Sequence, residues 1–263
     1  MRENLRVLLT FLFRRDEKLL RRPLLVLLIL LPVEKLILYI PGLAQGIHDL
    51  YEWEYRADGT RYRALGELSM TPLSQLLDVS YNLSVLLFFV AMVLALVLPA
   101  LQDQDGGKSL RTLMRLPLSR GWFYGYRLML PAVVGWCFWL VNGVTALFCG
   151  ILYRLFVPAA RLPADWWSSL WESQQMLCWM PMLEPARWAA ALCLPLLVGA
   201  AGMLLVLTFQ GRSLLAVAGG IVGVAGVVYF LLSDGLMVWL GIPLLTCLLC
   251  GLGWYLICRR CSF

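Results

Sequence analysis

Six long apolar stretches constrain this chain more than any other feature, because each is long enough to cross a lipid bilayer. A helix of about 20 apolar residues matches the ~30 Å hydrocarbon core of a bilayer. The expected spans are 23–43, 82–101, 122–156, 186–209, 213–232 and 236–257. The sequence therefore predicts an all-α polytopic membrane protein with six transmembrane helices.

The composition supports this fold class and argues against several others. Of 263 residues, 61% are hydrophobic and 14% are charged, whereas soluble domains are about half apolar and a quarter charged. An ordinary soluble enzyme, a disordered chain and a secreted disulfide scaffold are all disfavoured. The formal charge of +6 could suggest nucleic-acid binding. However, the basic residues are concentrated in some loops and the acidic residues in others, which is typical of a membrane protein with a fixed orientation.

The first 22 residues predict an amphipathic helix in the headgroup layer of the membrane. A secretory signal peptide is the alternative, but the apolar run that follows is too long for one and contains Glu34 and Lys35. Apolar residues recur at helical spacing among seven bases, which are Arg2, Arg6, Arg14, Arg15, Lys18, Arg21 and Arg22.

Two longer segments lie between the spans. In 44–81, aromatic and charged residues alternate around Asp58-Gly59, which predicts a β-hairpin with a type I′ turn. In 157–185, Trp167 and Trp171 are one helical turn apart and Asp165 is a candidate N-cap. This segment predicts a short helix at the membrane surface, a layer that tryptophan favours.

The charges of the loops predict that both termini are cytoplasmic. The segment 44–81 is acidic overall, and so is 157–185, so both are expected outside the cell. The basic segments are 1–22, 102–120, Arg212 and the tail 258–263. We expect a multi-pass protein of a bacterial cytoplasmic (inner or plasma) membrane.

No catalytic, cofactor or metal site is predicted on this chain. The run 106–109 (Gly-Gly-Lys-Ser) resembles the end of a phosphate-binding loop, but Gln102 stands where the motif needs its first glycine. The pairs Cys247-x-x-Cys250 and Cys258-x-x-Cys261 imitate a zinc site. Since the first pair lies inside an apolar helix, we interpret these cysteines as core-packing residues.

The segment between the second and third spans predicts a short amphipathic helix over about 107–117. Ser109 is a candidate N-cap, and Pro117 ends the helix. Its apolar stripe consists of Leu110, Leu113 and Met114. Such a helix can insert into a pocket of a cytosolic partner, whereas charge alone favours a basic loop resting on anionic lipid.

This segment resembles the coupling-helix region of ABC-2 type exporter permeases. The likeness covers about 102–121: acidic residues after a span, then Gly-x-Ser-Leu, a Leu-rich turn and Pro-Leu-Ser-Arg. It implies a permease subunit that carries no cofactor and pairs with an identical or homologous second half. It also implies two separate cytosolic ATPase subunits that bind ATP and Mg²⁺. The residues expected to contact an ATPase are Asp105, Gly107, Leu110, Arg111, Leu113, Met114 and Pro117.

Two further features suit a paired transporter. The fifth span carries a small-residue stripe that allows close helix packing, either within one subunit or between two halves; it consists of Ala216, Gly219, Gly220, Gly223 and Gly226. In the first span, Glu34 and Lys35 project about 100° apart and are costly to bury. They either line a translocation path or form structural ion pairs, unless the span breaks at Pro32 and leaves them near the outer surface.

The sequence-based hypothesis is thus the permease subunit of an ATP-driven exporter with an amphipathic cargo such as a peptide, lipid or drug. The leading alternative is a secondary transporter or channel that needs no ATPase. An intramembrane hydrolase is third, since no catalytic constellation is evident.

Overall fold

The computed structural model describes residues 2–55, 61–66, 68, 70–105, 120–179, 185–209, 214–232 and 236–259. Within these ranges the chain forms nine helices and one hairpin. The helices are α1 Arg2–Asp49, α2 Leu73–Asp78, α3 Tyr81–Asp105, α4 Arg120–Phe156, α5 Trp166–Glu172, α6 Gln174–Trp179, α7 Pro185–Phe209, α8 Leu214–Leu232 and α9 Leu236–Arg259. The strands are β1 Tyr51–Tyr55 and β2 Arg61–Leu65. A mainly helical fold is confirmed.

Four of the described helices contain a segment that is long and apolar enough to cross a membrane. These segments are Leu12–Asp49, Tyr81–Leu101, Trp122–Phe156 and Trp188–Leu205. Helices α8 and α9 contain shorter apolar segments, Leu214–Tyr229 and Gly241–Leu256. The chain therefore has the make-up of a helical membrane protein.

Helix α1 differs from expectation because it is a single helix of 48 residues. No break separates 1–22 from 23–43, and the proposed break at Pro32 is wrong. The helix also continues to Asp49, so the segment expected at 44–81 begins as helix. The physical reason is a stripe at i, i+3 and i, i+4 spacing that continues past the prolines; its buried members are Leu12, Asp16, Leu20, Leu31, Lys35, Tyr39 and Leu43, and the half-buried Leu24 and Leu27 connect them.

The chain divides into two compact units. The first unit comprises Met1–Leu27, Phe88–Phe138 and Pro185–Phe263, and the second comprises Leu28–Leu87 and Trp139–Glu184. In the first unit, α7, α8 and α9 pack against one another. Helix α4 reaches α7 through the Trp136 indole, which donates a hydrogen bond to the Leu192 carbonyl at 3.1 Å.

The second unit has its own apolar core. The Tyr153 hydroxyl closes one side by donating to the Thr71 carbonyl at 2.9 Å, and Ser74 and Ser169 join α2 to α5. Its buried members are Tyr39, Leu43, Leu50, Met70, Leu73, Leu76, Leu77, Ala146, Cys149, Tyr153, Val157, Leu170 and Met176. This core brings the short helices and the long helices of the unit together.

The β-hairpin expected around Asp58-Gly59 is present. Strands β1 and β2 are antiparallel, with Tyr51 opposite Leu65 and Tyr55 opposite Arg61. The five residues that join the strands, including Asp58-Gly59, lie outside the described residues, so the type I′ turn stays a prediction.

A short helix starts where the tryptophan spacing predicted one. Asp165 is the N-cap residue of α5, but its side chain makes no capping hydrogen bond. The rings of Trp166 and Trp171 each pack edge-to-face on Trp167, with centroids 5.4 Å apart in both pairs. Because Leu170 is fully buried and Trp167 is half exposed, α5 presents an aromatic face on the surface of the second unit.

Candidate functional site

The expected coupling helix lies outside the described residues, which stop at Asp105 and resume at Arg120. This applies to Gly107, Leu110, Arg111, Leu113, Met114 and Pro117. Asp105 is the last residue of α3. The structure does describe α3 and α4, the two helices that this segment connects, and the residues that contact the start of α4.

The start of α4 meets three other helices of the first unit. The Tyr124 ring packs with Leu96 of α3 and Met203 of α7, and its hydroxyl donates to the Cys250 carbonyl of α9 at 3.2 Å. The C-terminal parts of α3, α7 and α9 therefore lie at the same end of the unit as the beginning of α4.

A buried ion pair joins this end of the unit to α1. The Asp16 carboxylate is fully buried and accepts hydrogen bonds from the Arg127 guanidinium and the Tyr126 hydroxyl, each at 2.9 Å. Arg15 donates two further bonds to it at 3.1 Å. The Arg127 guanidinium also lies over the Phe123 ring, 5.3 Å from its centroid. The carboxylate thus fastens α1 to the first turns of α4.

Sequence reasoning missed Asp16 because it stands among seven bases and was not singled out. Its position carried a usable signal. Asp16 lies four residues from both Leu12 and Leu20, so a helix places it on their apolar stripe and not among the exposed charges. A buried carboxylate requires a cation, and Arg127 is a base inside an apolar span.

Glu34 and Lys35 are both buried in the second unit, and each has a separate partner. One carboxylate oxygen of Glu34 accepts a hydrogen bond from the Ser84 hydroxyl of α3 at 2.7 Å. The Lys35 ammonium donates to the side-chain carbonyl of Asn142 in α4. The 100° rotation between adjacent helical residues explains why the two side chains meet different helices.

The two charges differ in how completely they are satisfied. One turn beyond Lys35, the Tyr39 hydroxyl donates to the Cys149 carbonyl at 2.8 Å, so α1 and α4 are joined at two successive levels. In contrast, the second oxygen of Glu34 is buried with no hydrogen-bond donor among the described residues. Lys35 is thus built into the packing, whereas Glu34 retains an acceptor that can bind a proton or a donor group.

The small-residue stripe of α8 packs within this chain. A Cβ atom added at Gly223 would lie 2.5 Å from the Ala201 Cβ of α7, and one at Gly219 would lie 2.9 Å from Leu252 of α9. Gly220 and Gly226 face Leu205 of α7 and Leu245 of α9 in the same way, and Ala216 is buried. These small residues therefore pack against α7 and α9 of the same chain.

The cysteines do not gather into a ligand cluster in the described part of the chain. No group of three or more His, Cys, Asp or Glu side chains there could hold a metal ion. Cys149 is buried in the core of the second unit. The core-packing interpretation is wrong for Cys247, which is exposed, and Cys261 lies outside the described residues.

Comparisons with protein-family models, with curated proteins and with solved structures gave no match. The function is therefore argued from the chain itself. Three arrangements carry that argument: the Asp16–Arg127 pair, the Glu34 and Lys35 contacts, and the convergence of helix ends around Tyr124.

Proposed function

We propose that this chain is the membrane-spanning permease subunit of an ATP-driven exporter of the ABC-2 type. Two separate cytosolic ATPase subunits bind ATP and Mg²⁺, and a second permease half, identical or homologous, completes the complex. The protein resides in a bacterial cytoplasmic membrane with both termini in the cytoplasm. Its cargo is amphipathic, of the peptide, lipid or drug class.

Six crossings of the membrane fit the lengths of the apolar helices. Helices α8 and α9 have 19 and 24 residues, which at 1.5 Å per residue gives about 28 and 36 Å. Both lengths are close to the ~30 Å hydrocarbon core. With α1, α3, α4 and α7, these two helices make an even number of crossings, which puts both termini on one side.

The observation that carries the proposal is the meeting of four chain segments at one end of the first unit. Asp16 of α1 binds Arg127, and Tyr124 contacts both Leu96 of α3 and Cys250 of α9. Segment 106–119 joins α3 to α4 at this same end. The two helices that this segment connects are therefore beside both terminal helices, at the end where a cytosolic ATPase would meet them.

The ion pair supplies a route from the coupling segment to α1. Helix α4 begins at Arg120, three residues after Pro117, so movement of the segment displaces the first turns of α4. Because Arg127 is bound to Asp16 at 2.9 Å, α1 follows. In the second unit, the open acceptor of Glu34 is the group that we assign to the translocation path, while Lys35 holds α1 to α4.

The decisive experiment places charge on the apolar stripe of the coupling segment. In the Leu110→Asp, Leu113→Asp double variant, unpaired carboxylates would enter the ATPase contact, at a cost of several kcal/mol. We expect a correctly inserted subunit that no longer copurifies with its ATPase or stimulates it. Arg111→Glu changes a charge outside the apolar stripe of Leu110, Leu113 and Met114 and is expected to do less.

Three outcomes would overturn the proposal. Normal ATPase copurification and transport by the double variant, at unchanged membrane expression, would remove the coupling role. Transport by the purified chain in vesicles without any ATPase would instead indicate the secondary transporter or channel. ATP hydrolysis by the isolated chain would also contradict the proposal, because the phosphate-binding motif is incomplete.

A further inference from the structure

One face of α1 changes from basic to apolar within a few residues. The basic band, defined as Arg14, Lys18, Arg21 and Arg22, is exposed. Leu25 and Ile29 continue the same face and are 47% and 62% exposed. At 100° per residue, these six positions fall within an arc of about 100°. The exposed surface of the helix therefore passes from cations to aliphatic side chains along one line.

The opposite face fixes this orientation. Leu12, Asp16 and Leu20 are buried, and the Asp16 carboxylate binds Arg15 and Arg127. Rotation of α1 would break that ion pair, so the basic band is held outward. Asp16 is already occupied by two guanidinium groups and does not neutralise the band.

The basic band has no acidic partner in the described ranges. None of its four side chains forms an ion pair there, and Glu17, exposed on the flank of this face, is not bonded to any of them. The local surface charge is thus three positive units, since Glu17 offsets one of the four bases. A surface of this kind is complementary to anions.

We propose that the basic band binds the phosphate groups of anionic phospholipids. Arginine and lysine reach phosphates at the headgroup level while their aliphatic stems lie along apolar surface, and each such base near an anionic surface contributes about 1 kcal/mol. Leu25 and Ile29 lie on the adjoining part of the face, where the acyl chains would be.

Trp122 is an exposed aromatic residue on a second helix, near the N-terminal end of the basic band. It is 55% exposed and precedes Tyr126, whose hydroxyl binds Asp16, by one helical turn. Tryptophan is enriched at the boundary between headgroups and hydrocarbon. The four bases extend over about 12 Å of α1, with the exposed Trp122 beside the N-terminal end of the basic band, and this surface exists whether or not the chain is a permease.

The test uses the full chain purified in detergent and native mass spectrometry of retained lipids. The probes are phosphatidylglycerol and phosphatidylcholine with identical acyl chains. The wild type should retain phosphatidylglycerol preferentially, and less so as salt rises. The variant R14Q/K18Q/R21Q/R22Q should lose the preference, by roughly five-fold per neutralised residue at low salt.

Two control variants distinguish the loss of charge from a loss of folding. Competition with inorganic phosphate distinguishes a lipid site from a site for free anions. R14K/R21K/R22K keeps the charge and should keep the preference, and Arg154→Gln neutralises an exposed base of the second unit and should leave it unchanged. Equal retention by the wild type and the neutralised variant would overturn the proposal. Displacement of phosphatidylglycerol by millimolar inorganic phosphate would show a site for free phosphate and would overturn it as well.

Discussion

At the residue scale, the molecule depends on a few buried charges whose partners come from other helices. Asp16 accepts four hydrogen bonds from Arg15, Tyr126 and Arg127. Such a carboxylate is stable in an apolar surrounding only because its lone pairs are occupied and its charge is matched. The loss of one member leaves the others buried and unmatched.

Replacing Asp16 by Asn should destabilise the purified chain by roughly 3–5 kcal/mol, because the Arg127 guanidinium would remain buried without a counter-charge. Thermal unfolding in detergent, followed by tryptophan fluorescence, measures the loss. Glu17→Gln is the control, since Glu17 is exposed, and should change little. An Asp16→Asn chain as stable as Glu17→Gln would contradict the ion-pair account.

The neighbouring charges of α1 should respond differently to neutralisation. Glu34→Gln keeps the oxygen that accepts from Ser84, so stability should stay close to the wild type while transport falls. Lys35→Met leaves the Asn142 oxygen without its donor and should cost about 1–3 kcal/mol. Unfolding and transport assays on both variants decide the matter, and a reversed order of the two stabilities would exchange the assigned roles.

The sequence predicts that Glu34 and Lys35 need polar partners, but it does not identify those partners. Charged residues inside an apolar stretch must meet polar groups, and that much follows from the sequence. Ser84 and Asn142 are 50 and 107 residues away from the residues they bind. Nothing in the sequence distinguishes them from other neutral polar residues of the spans.

At the element scale, most helices begin and end close to the limits of the apolar runs. This holds for α3, α4, α7, α8 and α9, since apolar length and loop polarity set those limits directly. Helix α1 is the exception. Its prolines and its dense run of bases predicted a boundary after residue 22, and the structure has none there. Its stripe of buried and half-buried residues continues across that position and outweighs the local signals.

Substitution of a glycine gives the sharpest test of whether two helices pack closely. Gly223→Ala would bring its Cβ within 2.5 Å of the Ala201 Cβ, which is fixed to the backbone of α7, so the helices must separate and the chain should lose thermal stability. Gly251→Ala in α9 meets nothing within 4 Å and should be neutral or gain up to about 1 kcal/mol from helix propensity. Equal melting of the two variants would show that α8 does not pack closely on α7.

At the scale of the whole molecule, the division into two units was not predicted. The sequence indicated a hairpin in 44–81 and a helix in 157–185 as separate surface elements. In the structure, both segments contribute to one core with parts of α1 and α4. That core depends on contacts such as Tyr153 with Thr71, which join residues that have no periodic relation in the sequence.

The orientation of the whole chain can be checked with cysteine-reactive labels that do not cross membranes. Single probes placed at Thr60 or Ser168 should react from outside the cell, because the segments around them carry the acidic excess. A probe at Ser109 should react only in inside-out vesicles. Labelling of the Ser109 probe in intact cells would reverse the predicted topology.

The separation of Lys35 from Asn142 also sets an order of events during synthesis. Asn142 is made 107 residues after Lys35, which at about 5–20 residues per second is a delay of roughly 5–20 s. During that interval a nascent α1 holds a lysine at a depth where insertion costs about 2.5–3.5 kcal/mol, without the acceptor that later satisfies it. The first span is therefore expected to remain at the insertion machinery until α4 emerges and to enter lipid only in its company.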